Sequence, residues 1–201
     1  MYISLLRLNP RLDVVRRDLA NPYEMHRTLS WAVASALEQG TERMLWRLEP
    51  VVRTELPTVL VQTVSCPDWN AILDRSPGYA DIRPPKLFEP VLPRGGIFWF
   101  RLRANASVKQ HGKRRAIKTP EGKVAWLRRR LEEGGCQLVG AVIREDRFYE
   151  ASKGGVTLKV QATLFEGRLR VEHPASAAET LRRGVGSAKA LGLGLLSLCR
   201  G

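Results

Sequence analysis

The sequence predicts an α+β protein built from two successive βαββαβ units. Three observations carry this. The chain has 201 residues, 44% apolar and 26% charged, which fits one domain or two small ones with a buried core. Each half reads as the same order of strands and helices. Between them runs a Pro-rich passage (Pro77, Pro84, Pro85, Pro90, Pro93, then Gly95 and Gly96), the best linker candidate. The expected domains are residues 1–90 and 96–201.

In the first half, residues 1–8 are rich in Ile, Leu and Tyr and read as a strand, and 24–39 read as a helix. Residues 44–48 and 59–64 read as strands joined through Pro50 and Pro57, and 68–73 as a short helix. In the second half, residues 97–103 alternate Phe98, Phe100 and Leu102 against Trp99, Arg101 and Arg103, a half-buried strand. Residues 105–118 are polar and basic and predict an exposed arm or hairpin. Thr119-Pro120 opens a helix, with Thr as N-cap and Pro in the first turn, and Gly134-Gly135 closes it. On that helix Val124, Leu127 and Leu131 form the predicted apolar stripe. A strand over 137–144 follows, then a hairpin over 156–171 turning at Glu166-Gly167, a short helix over 175–183, a Gly-rich turn and an apolar strand. The element order is that of two tandem ferredoxin-like domains, the order also used by RNA-recognition modules.

The charge is segregated. Lys and Arg total 33 against 20 Asp and Glu, a net charge of +13. Residues 1–95 contribute +1 and residues 96–201 contribute +12. Between Lys109 and Arg130 stand nine bases and one acid, Glu121. Such a field attracts polyanions, whereas solubility alone does not require the segregation. The longest nearly uninterrupted apolar stretch, residues 190–199, is about half of a membrane span. No apolar run follows a basic start, so no secretory signal is expected. Cys66, Cys136 and Cys199 are odd in number and far apart, which suits neither a disulfide framework nor a zinc site. A cytoplasmic location is expected, with no metal, no cofactor and no membrane partner.

The candidate chemistry lies at residues 21–30. Asn21 is a good N-cap, Pro22 suits the first helical position, and Glu24 is placed to complete a capping box. Met25, Leu29, Ala32, Val33 and Ala36 form an apolar stripe, while Tyr23, His26, Arg27 and Ser30 lie together on the opposite flank. A helix N-terminus seats a phosphate. A histidine beside it exchanges a proton near neutral pH, a tyrosine hydroxyl one turn away reaches the same group, and an arginine holds a phosphate oxygen. The plain alternative is a surface histidine at a well-capped helix start. His111, in the basic arm, and His173, before Pro174, lack this setting.

What the sequence lacks narrows the chemistry. It has no P-loop, HExxH, GxSxG or Cys pair at metal spacing, and its acids are scattered. If the chain cuts nucleic acid, metal-independent RNA cleavage fits best, because RNA supplies its own nucleophile, the 2′-hydroxyl. A second motif, Gly184, Gly186, Gly192 and Gly194 around Lys189, reads either as an anion nest or as a tight packing turn.

DLANPYEMHRTLSWAV (18–33), RMLWRLEP (43–50) and LRRGVGSAKALGLGLLSL (181–198), with KTPEGKVAWLRRRLEEGG (118–135) between, resemble the CasE-type CRISPR-associated endoribonucleases. These are the repeat-RNA-cleaving subunits of the Cascade complex in type I-E systems, within the wider repeat-associated (RAMP) superfamily. The resemblance spans both ends and is weak over about residues 65–95 and 140–155. It implies two tandem ferredoxin-like domains. It also implies cleavage at the base of the stem-loop in each CRISPR repeat, leaving a 2′,3′-cyclic phosphate and a 5′-hydroxyl without a metal. The family's His and Tyr match His26, as general acid, and Tyr23, which orients or deprotonates the 2′-hydroxyl; a phenol pKa near 10 favours orientation. Some relatives carry a lysine just after the HRTLS run, where this chain has Trp31. The expected RNA contacts are Arg27, Lys109, Lys113, Arg114, Arg115, Lys118, Arg128, Arg129 and Lys189, with Trp99, Arg101 and Arg103 as a possible stacking face. Expected partners are the repeat stem-loop and other Cascade subunits. The alternative function is a noncatalytic RNA-binding subunit, from which the pairing of Tyr23 with His26 discriminates.

Overall fold

The computed structural model describes residues 1–50, 55–110 and 113–200; the side chains of Lys109, Lys113, Arg114 and Lys153 fall outside that description. The chain divides into two compact units. One comprises Met1–Glu89 with Glu150–Leu158 and Ala190–Gly192, the other Pro90–Tyr149, Lys159–Lys189 and Leu193–Gly201.

The first unit contains β1 (Tyr2–Leu8), α1 (Asp13–Ala20), α2 (Pro22–Ser30), a 3-10 turn at Trp31–Val33, and α3 (Ala34–Glu38). β2 (Leu45–Leu48), β3 (Thr58–Thr63), α4 (Asn70–Leu73), β4 (Ala80–Ile82) and β5 (Lys86–Leu87) follow. The sheet order is β2-β3-β1-β4, all antiparallel, with β5 also pairing β1. Leu6 and Leu8 of β1 and Val59 and Val61 of β3 face the core, where Met25 and Leu29 of α2 meet them. The fourth strand is split because Pro84 and Pro85 fall between β4 and β5, and a proline has no N–H for the ladder.

The second unit contains β6 (Ile97–Ala104), β7 (Ser107–Gln110), β8 (Lys113–Ala116) and α5 (Pro120–Glu133). The long strands β9 (Cys136–Lys153) and β10 (Val156–Val171) come next, then α6 (Pro174–Arg183), a 3-10 turn at Lys189–Leu191 and β11 (Leu196–Arg200). Its sheet runs β11-β6-β10-β9. Each sheet thus has its fourth strand beside its first, then the third, then the second. This is the ferredoxin-like order, so the α+β class and the two tandem ferredoxin-like domains hold. The β7–β8 hairpin is an insertion after the first strand of the second unit, in register Ser107↔Ala116 to Gln110↔Lys113. It realises the hairpin expected over 105–118.

Several expectations give way. The single helix over 24–39 is broken into α2, the 3-10 turn and α3, and α1 precedes it. α1 buries Val15 together with the carboxylate of Asp18, so no apolar stripe announces it. The hairpin over 156–171 with a turn at Glu166-Gly167 is instead one unbroken strand, β10, and the turn lies at Gly154-Gly155, both at positive φ. Gly167 serves a close approach: a Cβ there would collide with the backbone oxygen of Gly140. On α5 the inward residues are Lys123, Trp126, Leu127 and Leu131, while Val124 sits only half-buried to the side. Lys123 is drawn inward by an ion pair with Asp146, whose carboxylate also accepts from Gln161 (3.0 Å) and Thr163 (2.8 Å). Burial raises the Asp146 carboxyl, but these partners outweigh it and hold it below the ordinary value.

The Asp18 carboxylate accepts from Arg17 (2.7 Å) and from the buried Tyr79 hydroxyl (2.8 Å), tying α1 to the start of β4. Burial, then the adjacent carboxylate, pushes the Tyr79 hydroxyl far up. Tyr79→Phe leaves an Asp18 oxygen without its donor. It is expected to cost about 1–3 kcal/mol of stability, read as a lower urea midpoint at unchanged m-value.

Candidate active site

The site grows from the α1–α2 junction. The Asn21 side chain accepts from Tyr23 N at 3.1 Å, and Pro22 occupies the first helical position. The capping box does not close, because the Asn21 N–H already donates to Arg17 O at 3.0 Å as the end of α1. Glu24 turns instead to Arg27, in an ion pair, and to Arg17 Nε at 3.4 Å. Asn21 has a second role that local sequence does not announce. Its Nδ2 donates to Ser152 O at 3.1 Å and its Oδ1 accepts from Ser152 N at 3.3 Å. The tip of the β9–β10 ribbon is thereby pinned to the start of α2.

Met25, Thr28 and Leu29 face inward, which leaves Tyr23 and His26 half-buried and Arg27 exposed on the other flank. His26 Nδ1 is buried without a hydrogen-bond partner, and burial lowers the imidazole pKa below its ordinary 6.5. Ser30 Oγ donates to His26 O at 2.7 Å, so it stiffens the helix rather than touching the ring. The structure brings Tyr23, His26 and Arg27 onto one helix flank. Arg27 is engaged by Glu24, so a phosphate must compete for it. The Arg75 guanidinium lies 5.1 Å over the Trp31 ring. It stands far off in sequence, and no local signal pointed to it.

The basic residues fall in two groups. Arg115, Lys118, Arg128 and Arg129 are exposed. Lys109, Lys113 and Arg114 lie on β7 and β8, with side chains outside the described part, as is His111 altogether. Lys189 is half-buried beside the glycine-rich turn. That turn has steric reasons for its glycines. A Cβ on Gly186 would meet the Trp126 ring at 3.2 Å, on Gly192 the Trp46 ring at 2.7 Å, and on Gly194 the Val185 oxygen at 2.8 Å. Gly184 ends α6 at φ 72°. On the open face of the second sheet Trp99 is half-exposed under Arg168, with the guanidinium 5.5 Å from the ring centre. Arg101 (2.6 Å) and Arg144 (2.9 Å) both bind Glu166. Arg103, expected on the same face, is fully buried on Glu145 at 2.8 Å. Among the described residues, no three His, Cys, Asp or Glu side chains gather closely enough to hold a metal ion, and no helix is long and apolar enough to cross a membrane.

The class so defined is a tandem ferredoxin-like protein with a Tyr–His–Arg helix mouth in its first domain and a basic hairpin and helix in its second. Comparison narrows the class. The family model described as CRISPR associated protein matches residues 1–200, and the chain belongs to that family. It is 55% identical over 212 aligned positions to the CRISPR-associated endoribonuclease Cse3 of Thermus thermophilus, covering 98% of this chain and 99% of the relative. It is 27% identical to the CRISPR system Cascade subunit CasE of Escherichia coli, covering 98% of each. The solved structure of Thermus thermophilus Cse3 bound to an RNA representing a pre-cleavage complex superimposes with TM-score 0.94 at 54% identity, covering 98% of both chains.

In the free protein the His26 imidazole is expected to titrate with a midpoint below 6.5, measured by NMR of its ring protons. A bound phosphate would raise that midpoint by favouring the imidazolium.

Proposed function

We propose that the chain is a metal-independent endoribonuclease that cuts CRISPR precursor RNA at the base of the repeat stem-loop and releases mature guide RNA. The carrying observation is the set of Tyr23, His26 and Arg27 on one flank at the open start of α2, in a chain 55% identical to an endoribonuclease over nearly both full lengths.

In this reading the scissile phosphate sits at the mouth of α2, where the first N–H groups and the positive end of the helix face it. The 2′-oxygen attacks phosphorus and the bond to the 5′-oxygen breaks, giving a 2′,3′-cyclic phosphate and a 5′-hydroxyl. His26 donates the proton to the departing 5′-oxygen. Tyr23 orients the 2′-hydroxyl, whose proton leaves to water. Arg27, released from Glu24, neutralises charge on the phosphorane. Burial lowers the His26 pKa in the free protein, and the charge of an arriving phosphate favours the acid form. The exposed Arg115, Lys118, Arg128 and Arg129, with Lys109, Lys113 and Arg114 of the hairpin, hold the stem through its phosphates, and Lys189 with the glycine-rich turn extends that track. Its partners are the repeat stem-loop and other Cascade subunits, and its place of action is the cytoplasm, where the precursor transcript is made.

The deciding experiment is cleavage of a labelled repeat hairpin in EDTA. Wild type is expected to cut once. His26→Ala is expected to lose roughly 10²–10⁴-fold in rate with binding retained, and a 2′-deoxy sugar at the cut site to abolish cutting. Undiminished cutting by His26→Ala would remove His26 from the chemistry; binding without any cutting would make the chain an RNA-holding subunit. Cleavage by wild type should fall as pH rises through the His26 pKa of the complex, because the acid form is then lost.

The RNA track has its own test. Replacing Arg128 and Arg129 with Ala should weaken hairpin binding and flatten the log–log salt dependence by roughly two units, one per lost phosphate contact. An unchanged slope would place the stem elsewhere.

A further inference from the structure

The flank that carries Tyr23 and Arg27 continues one turn further. Tyr23, Arg27 and Trp31 stand four residues apart, and Trp31 keeps helical backbone as the C-cap of α2. The three side chains therefore follow one another down the same side of the helix. α4 closes on that end. Asp68 N donates to Ala32 O at 2.8 Å, and Ile72 is buried in the same core as Met25 and Leu29. Arg75, three residues beyond Ile72, lies over the half-buried Trp31 ring, its guanidinium 5.1 Å from the ring centre. Its Nη1 donates to Ala71 O at 2.6 Å. A planar guanidinium laid on an indole is preorganised, and one bond to a carbonyl leaves most of its five N–H donors unspent.

The charges nearby show what this cation adds. Arg17 pairs with Asp18 at 2.7 Å and with Glu24 at 3.4 Å, and Arg27 pairs with Glu24. Two cations and two anions cancel, so these four side chains bring no net charge to a phosphate. Glu24 also stands in the first turn of α2, where it opposes an arriving anion. Arg75 differs from Arg17 and Arg27. It is exposed, and among the described residues no carboxylate pairs with it. At 1.5 Å per residue, Trp31 lies about 7.5 Å along the helix from His26, a gap that a guanidinium leaning off the ring and a phosphate can bridge together.

We propose that Arg75 is a further catalytic residue, and that Trp31 is the residue that positions it. Its guanidinium joins Arg27 on the non-bridging oxygens of the scissile phosphate and neutralises charge as the phosphorane forms. The role rests on the nuclease reading above and adds to it. No bond forms or breaks at Arg75, and the proton donor remains His26.

The test is single-turnover cleavage of the repeat hairpin in EDTA by the full chain, with the hairpin Kd measured alongside. Arg75→Ala should lose roughly 10²-fold in rate while binding stays close to wild type. Arg75→Lys should recover part of the loss, because it keeps the charge but not the planar fork. Free guanidinium, far below unfolding concentrations and matched against sodium chloride, should restore part of the Arg75→Ala rate and leave wild type unaffected. A merely structural role would not respond in this way. Trp31→Leu should slow cleavage too, and should add nothing once Arg75 is Ala. A Trp31→Leu loss that persists in full in the Arg75→Ala background overturns the positioning role. Wild-type rates in Arg75→Ala overturn the catalytic role and leave the nuclease reading intact. A loss confined to Kd, or one that neither Arg75→Lys nor guanidinium relieves, overturns it as well. If wild type binds the hairpin and never cuts it, the nuclease reading fails and this role falls with it.

Discussion

One buried carboxylate governs the geometry on which the rest depends. Asp18 is almost fully enclosed, yet it lies on an exposed-looking helix and accepts from Arg17 and Tyr79. A buried carboxylate is costly unless its oxygens are bonded, so these two donors fix where α1 ends. That end sets the Asn21 N–H on Arg17 O, and Asn21 in turn sets the first residues of α2. The start of α2, which carries Tyr23 and His26, is thus placed by a chain of backbone positions leading back to Asp18. The same tyrosine immediately precedes β4, so the split fourth strand and the helix mouth share one anchor.

This arrangement explains the chemistry open to the site. Desolvation makes His26 a weaker base than a surface histidine, and no acidic neighbour offsets it among the causes of its shift. Burial thus favours the neutral imidazole, and a nearby anion would favour the charged form that a proton donor needs. The basic residues of α5 and the β7–β8 hairpin belong to a different unit from this histidine. In the function proposed above, holding RNA and cutting it fall to different domains, in keeping with the segregation of charge along the sequence.

Local signals were readable and distant ones were not. The Asn21-Pro22 start of α2, the Thr119-Pro120 start of α5 and its Gly134-Gly135 end are all set by residues adjacent in sequence, and all three stand. α1 was invisible because its inward face includes a carboxylate whose partner is 61 residues away. Glu166-Gly167 looks like a turn, but its glycine answers to the backbone of Gly140 on the neighbouring strand, a demand that no local pattern expresses. Lys123 counted toward the basic field, yet Asp146 buries it. Tyr23, His26 and Arg27 were legible as one helix flank; the engagement of Arg27 by Glu24 and the link from Asn21 to Ser152 were not.

The grip of Asn21 on Ser152 bears on how the molecule can be divided. The compact unit that carries His26 is not the first ninety residues; it also includes Glu150–Leu158 and Ala190–Gly192, contributed by the far end of the chain. A fragment ending at the proline-rich passage would lack the backbone partner of its own N-cap and the glycine that lies against Trp46. During synthesis, α2 would emerge early but gain these supports only once residues 150–158 and 190–192 had left the ribosome. Its completion thus follows the synthesis of the basic hairpin and helix of the second unit.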